Sequence, residues 1–254
     1  MSLWSPPPPD APARLADLRG SYAPGSLGPS DLAGAPLDAF LEWFGEAERI
    51  GLPEPNAMVL ATADPSGAPS ARTVLLKAAD PRGFTFYTNL TSRKSADLTS
   101  NPKASVVFPW IAMHRQICVV GDVELLPRDE VEEYFRSRPR GSQLGAWASA
   151  QSTVIPDRSV LEARFAELDT RYADRGEHST QPGNDRGVEI PVPDFWGGWL
   201  VRPRTVEFWQ GRPSRLHDRL RFRHVDIPAG AGDEIQAWAP MDDPLAWTVE
   251  RLSP

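Results

Sequence analysis

Two periods of apolar and polar positions succeed one another along this chain. Near the start the period is helical: Leu15 and Leu18 lie three apart in residues 14–22, and the pattern stops at Pro24-Gly25. Residues 36–50 (PLDAFLEWFGEAERI) predict a longer amphipathic helix, opened by Pro36, with Leu37, Phe40, Leu41 and Phe44 on its inward face. A period of two then takes over. Residues 57–62, 70–77 and 84–88 read as strands separated by the turns Asp64-Pro-Ser-Gly67 and Asp80-Pro-Arg-Gly83, so two hairpins follow one another. Residues 92–100 read as helix and stop at Asn101-Pro102. Residues 103–108, closed by Pro109, and 116–126 are further strands, and Pro127 opens a helix through Ser137. Residues 157–173 predict a helix with Val160, Leu161, Phe165 and Leu168 facing inward. Strands resume at 195–201, 205–210 and 216–223, with a closing one near 247–252.

Many short strands interrupted by helices predict a mainly β fold with added helices, built as an antiparallel barrel. No glycine-rich loop joins a strand to a helix, which removes support for a doubly wound dinucleotide-binding fold. Pro6 to Pro9 cannot be helix or strand, so residues 1–30 read as a Pro-rich tail and leading segment, and 31–254 as one domain. Residues 174–190 and the stretch near 226–244 lack periodicity and read as loop insertions.

Composition narrows the function. With 254 residues, 41% hydrophobic, the chain can bury a core, and it has no apolar run of about 18 residues, so no membrane span is expected. The N-terminus lacks a basic and then apolar leader, and Cys118 is the single cysteine, so a cytoplasmic, reducing compartment is expected, with no multi-cysteine metal site. The net charge of −7 argues against a nucleic-acid partner. Against that acidic background Arg93-Lys94 and the run Arg212 to Arg223 are local basic clusters, suited to small anions.

Several segments could carry chemistry. In Arg72-Thr73-Val74-Leu75-Leu76-Lys77 the side chains alternate between two faces, which also fits an edge strand with solvated ends. Tyr87-Thr88-Asn89-Leu90-Thr91-Ser92-Arg93-Lys94 leaves a strand and enters a helix, whose free N–H groups and positive dipole end, with two cations and hydroxyls, would cradle a phosphate; a plain N-cap is the alternative. Tyr134 and Arg138 are four apart and Ser142 follows the Pro139 break, a trio suited to a second phosphate, or an exposed basic helix end. Gln151 and Ser152 close a polar segment that could meet a ring edge or simply fill a turn. If the run after Trp209 is a strand, Arg215, His217 and Arg219 share one face with no alternating acid and would repel unless an anion lies between them. The histidines show no metal spacing, and Cys118 reads as a small core residue rather than a nucleophile. No nucleophile elbow, zinc-protease or Walker motif is present, so the chemistry falls to a bound cofactor.

Taken together these stretches resemble the pyridoxamine (pyridoxine) 5′-phosphate oxidase family: RTVLLK at 72–77, FYTNLTSRK at 86–94, FPW at 108–110, YFRSRPRGSQLGAWAS at 134–149, FWGGW at 195–199, EFWQGRPSRLHDR at 207–219 and ERLSP at 250–254. The resemblance implies an FMN-binding split barrel (six-stranded, Greek-key type) working as a homodimer with the flavin at the interface. It implies oxidation of pyridoxamine or pyridoxine 5′-phosphate to pyridoxal 5′-phosphate with O2 as acceptor and release of H2O2. Implied FMN contacts are Arg72, Thr73, Val74, Leu75, Leu76, Lys77, Tyr87, Thr88, Arg93, Lys94, Gln116, Gln151, Ser152, Trp209 and Arg219. Implied substrate contacts are Lys77, Tyr134, Arg138 and Ser142 for the phosphate, Arg215 and His217 beside the ring as catalytic residues, and Arg19 and Tyr22 from a segment that closes over it. An oxidase of phenazine-type precursors and a non-catalytic FMN or pyridoxal phosphate binder are the alternatives; the Arg-Leu-His-Asp-Arg run and the Tyr134, Arg138 and Ser142 trio favour the vitamin B6 enzyme.

Overall fold

The computed structural model describes residues 25–173, 188–225 and 239–254. The expected helix at 14–22 lies outside them, as do most of the two expected insertions. Helix α1 (Pro36–Arg49) precedes the hairpin β1 (Ala57–Ala63) and β2 (Pro69–Leu75), then β3 (Ala78–Asp80) and β4 (Gly83–Asn89). Helix α2 (Arg93–Ser100), β5 (Lys103–Trp110), β6 (Arg115–Leu125), and the helices α3 (Arg128–Ser137), α4 (Arg140–Ala148) and α5 (Ser159–Arg171) follow. Strands β7 (Trp196–Gln210), β8 (Asp218–His224) and β9 (Trp247–Arg251) complete the fold.

All described strand pairs are antiparallel, in the order β2-β1-β5-β6-β7-β4-β3, with β8 on β7 and β9 on β8. The curled sheet is a split barrel, and β7 is its spine. One edge of β7 pairs with β6; the other pairs with β4 through Trp196–Val201 and with β8 through Thr205–Gln210. The two expected strands at 195–201 and 205–210 are therefore one. Pro203, which has no N–H to donate, falls between the two partners, and the β6 register shifts opposite it between Val120 and Gly121. At that bulge a Cβ on Gly121 would lie 2.0 Å from the Arg202 carbonyl oxygen, so only glycine fits. At the far ends of the strand order, Leu76–Lys77 joins β2 to β3, and the Lys77 amide donates to the Thr85 carbonyl at 2.8 Å. That seam closes the barrel.

Alternation puts Met58, Leu60, Phe84, Phe86, Phe108, Ile117, Val119, Val206, Phe208, Leu220 and Phe222 inside. Helix α1 plugs one end. Phe40 lies with its ring centroid 5.0 Å from Phe84 and 5.1 Å from Phe108, and Trp43 meets Phe208 edge-on at 5.1 Å. The inward face of α1 is thus Leu37, Phe40, Trp43 and Ala47; Leu41, expected inside, is exposed, because the barrel mouth is narrower than the apolar stripe. In α5 only Leu168 is buried, whereas Val160 and Phe165 are exposed and Leu161 half-buried, since α4 alone packs broadly on it. A second small core (Phe135, Leu144, Leu168, Ile190) fastens α3, α4 and α5 together beside the start of β7.

Other boundaries differ locally. Strand β2 ends at Leu75 rather than 77, and β5 continues through Pro109. Arg215 and His217 are not on a strand: Pro213–Arg215 is a 3-10 turn in which Ser214 and Arg215 have φ of 58° and 62°, and β8 begins only at Asp218. Arg215, His217 and Arg219 therefore do not share a strand face. Cys118 lies on the outer face of β6, half-buried, and its Sγ accepts from Gln116 Nε2 at 3.0 Å; burial pushes its thiol pKa up, away from nucleophilic reactivity. Phe40→Ala is expected to cost about 3–5 kcal/mol in urea denaturation and Leu41→Ala under about 1 kcal/mol. Equal costs would contradict this orientation of α1.

Candidate functional site

One cavity of about 780 Å³ opens where the β2–β3 seam, β4, the N-terminus of α2 and the α3–α4 elbow meet. Its lining carries five cations, Arg72, Lys77, Arg93, Lys94 and Arg138, and not one carboxylate. Elsewhere most described arginines are answered by acids, among them Arg82 by Asp80 and Glu130, Arg115 by Glu46, and Arg221 and Arg223 by Glu250. One carboxylate stands behind the lining, Asp97, with its Oδ2 4.0 Å from Arg72 Nη2; positive charge concentrated to this degree is the signature of an anion site.

The cations are held by polar scaffolding. Lys94 is buried, and its Nζ donates to Gln151 Oε1 at 2.7 Å, Thr88 Oγ1 at 3.1 Å and Ser92 Oγ at 3.3 Å, all neutral acceptors. Burial, with Arg72 nearby, pulls its pKa down to about 8. The Arg72 guanidinium donates to the Leu60 carbonyl, to Thr62 Oγ1 at 2.8 Å and to Ser70 Oγ at 2.5 Å. Those two hydroxyls donate to Asp97 Oδ2 at 2.6 and 2.9 Å, so a buried carboxylate on α2 braces Arg72 through β1 and β2. The Arg93 amide donates to Ser152 Oγ at 3.2 Å, while its side chain is exposed at the rim.

On the opposite wall Tyr87 and Tyr134 stack with centroids 3.8 Å apart at 9°, joining β4 to α3. Burial raises both phenol pKa values, so both remain protonated donors. Arg138 caps α3 in an extended conformation, turning its side chain out of the helix and into the cavity beside Pro139 and Ser142. Its guanidinium lies 4.2 Å from the Trp196 ring centroid. Its Nη1 is buried with no partner among the described residues, as is Trp196 Nε1.

The sequence model of the family described as pyridoxamine 5′-phosphate oxidase matches residues 44–172, and that of the pyridoxine 5′-phosphate oxidase C-terminal dimerisation region matches 196–254. The chain belongs to the pyridoxamine 5′-phosphate oxidase family. Among its relatives, the pyridoxine/pyridoxamine 5′-phosphate oxidase of Salinispora arenicola is 52% identical over 94% of this chain and 96% of its own length. That of Salinibacter ruber is 50% identical over 95% of this chain and all of its own. Among solved structures, PhzG of Burkholderia lata, in complex with tetrahydrophenazine-1-carboxylic acid, is similar at a TM-score of 0.73 and 28% identity, covering 92% of this chain and all of that one. A pyridoxamine 5′-phosphate oxidase-related, FMN-binding protein of Nostoc punctiforme shares the fold at a TM-score of 0.59 and 15% identity, over 87% of this chain and 98% of that one.

The residues expected to form the site of this oxidase-family chain fall into two patches. Arg72, Thr73, Val74, Leu75, Lys77, Tyr87, Thr88, Arg93, Lys94, Tyr134, Arg138, Ser142, Gln151 and Ser152 line the one cavity. Leu76 does not: its side chain is buried in the barrel core. Gln116, Trp209 and Arg219 form a row across β6, β7 and β8, with His217 tilted against Trp209 at 4.7 Å, away from that cavity. There the expectation of an unanswered basic strand fails, because Arg219 is paired with Glu207 at 2.7 Å and Arg212 with Asp218 at 3.2 Å. His217 lines a separate cleft with Leu216 and the C-terminal residues 251–254. Arg19 and Tyr22 lie outside the described residues. Sequence reasoning missed Asp97 and Trp196. Asp97 lies in the helix read at 92–100 and Trp196 in the FWGGW stretch, but no local pattern marks either as supporting a site. No group of three or more potential metal ligands occurs among the described residues, nor any helix long and apolar enough to cross a membrane.

The Lys94 amine is expected to titrate near 8 in a 13C-methyl-lysine NMR titration and to move upward when inorganic phosphate is added, because an anion favours its charged form. An unshifted value with phosphate present would remove it from the anion site.

Proposed function

We propose that this chain oxidises pyridoxine 5′-phosphate or pyridoxamine 5′-phosphate to pyridoxal 5′-phosphate with FMN as cofactor. Pyridoxine phosphate and O2 give pyridoxal phosphate and H2O2; the amine additionally consumes water and releases ammonia. The observation that carries this reading is the cavity with five cations and no carboxylate, large enough for two phosphate monoesters and their rings. FMN, when bound, would supply the two-electron redox chemistry that links the substrate to O2.

The protein's contribution is orientation. Arg72, Arg93 and Lys94, with Thr88, Gln151 and Ser152, would hold the FMN phosphate; Thr73, Val74, Leu75 and the backbone at Leu76 and Lys77 would line the flavin, with Tyr87 as a wall. Lys77, Tyr134, Arg138 and Ser142 would take the substrate phosphate, the unpartnered Arg138 Nη1 being one donor suited to it. Gln116, Trp209 and Arg219, with Arg215 and His217, stand apart from this cavity in one chain. They would reach the ligands from a second copy, in a homodimer with FMN at the interface. Arg215 would then assist charge development at the reacting carbon and His217 would bind the substrate, with Arg19 and Tyr22 closing over it. A phenazine-type substrate is the second reading, favoured by the likeness to PhzG; the phosphate-suited quartet and the higher identity to the B6 enzymes weigh against it.

Anaerobic addition of pyridoxine 5′-phosphate to the yellow protein is expected to bleach the flavin, and air to restore it with stoichiometric peroxide; no bleaching would refute the activity. Arg138→Ala is expected to raise KM for pyridoxine 5′-phosphate by about 10- to 100-fold with kcat within about threefold, the loss of a charge-assisted phosphate contact. Arg215→Ala should instead lower kcat/KM by at least about 100-fold. The Lys94 value makes FMN affinity pH-dependent. Below about pH 8 the amine is already charged; above it, binding must take up a proton, so Kd should rise toward tenfold per pH unit. Fluorescence titration of Lys94→Met, expected weak and flat with pH, checks the assignment.

A further inference from the structure

Arg138 is unusual among the arginines of this chain in how it is held. Its neighbours are aromatic: the Trp196 ring at 4.2 Å and the Phe135 ring at 5.5 Å from the guanidinium carbon. No carboxylate pairs with it among the described residues, and burial lowers its pKa, opposed only by the smaller effect of the Tyr134 phenol. Its backbone is pinned at the α3–α4 elbow, where its N–H donates to the Phe135 carbonyl at 3.2 Å and its carbonyl accepts from Gln143 Nε2 at 2.8 Å. Trp196, the first residue of β7, is itself fixed against Phe135 at 5.9 Å.

A guanidinium has a face and an edge. A carboxylate partner would occupy the edge and compete with any incoming anion, whereas an aromatic ring engages the face and leaves the in-plane N–H groups free. The orphaned Nη1 is such an edge donor, buried and unanswered. From this we infer that Trp196 is a positioning residue for substrate binding. By stacking on Arg138 it fixes the guanidinium plane so that the unpaired edge meets the substrate phosphate, and it neutralises none of the charge that recognises it. The inference rests on the assignment of Arg138 to the substrate phosphate, and goes beyond it by naming what aims that arginine.

Steady-state kinetics with pyridoxine 5′-phosphate on the FMN-loaded protein test this in two backgrounds. Trp196→Leu is expected to raise KM about tenfold and Trp196→Phe, which retains a ring and fills most of the volume, about threefold, with kcat within about twofold in both. In an Arg138→Ala background either substitution should change KM by less than about twofold further, because the group it aims is gone. A merely structural tryptophan would give additive losses, or losses in kcat and FMN affinity together. The inference is overturned alone if Arg138→Ala raises KM but folded Trp196→Phe and Trp196→Leu leave it unchanged, or if the effects add. If Arg138→Ala itself leaves KM unchanged, the phosphate assignment falls and takes this role with it.

Discussion

Like charges confined to one cavity repel each other, and the architecture around this one serves to hold them against that repulsion. Five cations face a common space without a carboxylate among its lining residues. Three of them are immobilised by different devices: Lys94 by three neutral oxygens, Arg72 by hydroxyls that link it to a buried Asp97 4.0 Å away, Arg138 by aromatic faces. Largely neutral support matters, because a close acid at each cation would cancel the field that an anionic ligand needs; the single acid, Asp97, is held off at 4.0 Å from Arg72. The charge is thus in place in the fold itself, and an anion bound there would relieve repulsion already present.

The barrel makes such preparation feasible. Strand β7 runs fifteen residues and passes from β4 to β8 on one edge while β6 follows the other. Its first residue, Trp196, reaches the cavity, and Trp209 near its far end stands in the separate row with Gln116 and Arg219. One rigid element therefore carries residues of both patches, and the bulge at Pro203 lets it serve both without an unsatisfied ladder donor. The closing seam at Leu76–Lys77 likewise splits its labour, Leu76 turned to the core and Lys77 to the cavity.

Much of this was legible in the sequence, and what was not has physical reasons. Most strand positions and helix α1 followed from periodicity, because half-buried elements advertise their inner face, and α2 and α3 from their start and stop residues; the short β3 and helix α4 were not read. That Arg93-Lys94 and the Tyr134, Arg138 and Ser142 trio line one cavity was legible because strand-to-helix and helix-break geometry is local. The basic run after Trp209 misled, since its acids Glu207 and Glu250 come from neighbouring strands, and cross-strand pairing leaves no mark in linear spacing. Leu41, Val160 and Phe165 satisfied a helical period yet lie outside, because periodicity fixes a stripe and only the packing partner fixes its width. Asp97 and Trp196 escaped because their partners are remote in the chain.

The stacked pair Tyr87 and Tyr134 has a mechanical meaning. Two rings at 3.8 Å and nearly parallel lose most of their dispersion if pried apart, and little if one glides over the other. The helical layer carrying Tyr134, Arg138 and Ser142 is thereby seated on β4 through a contact that resists lifting more than it resists a small sideways displacement.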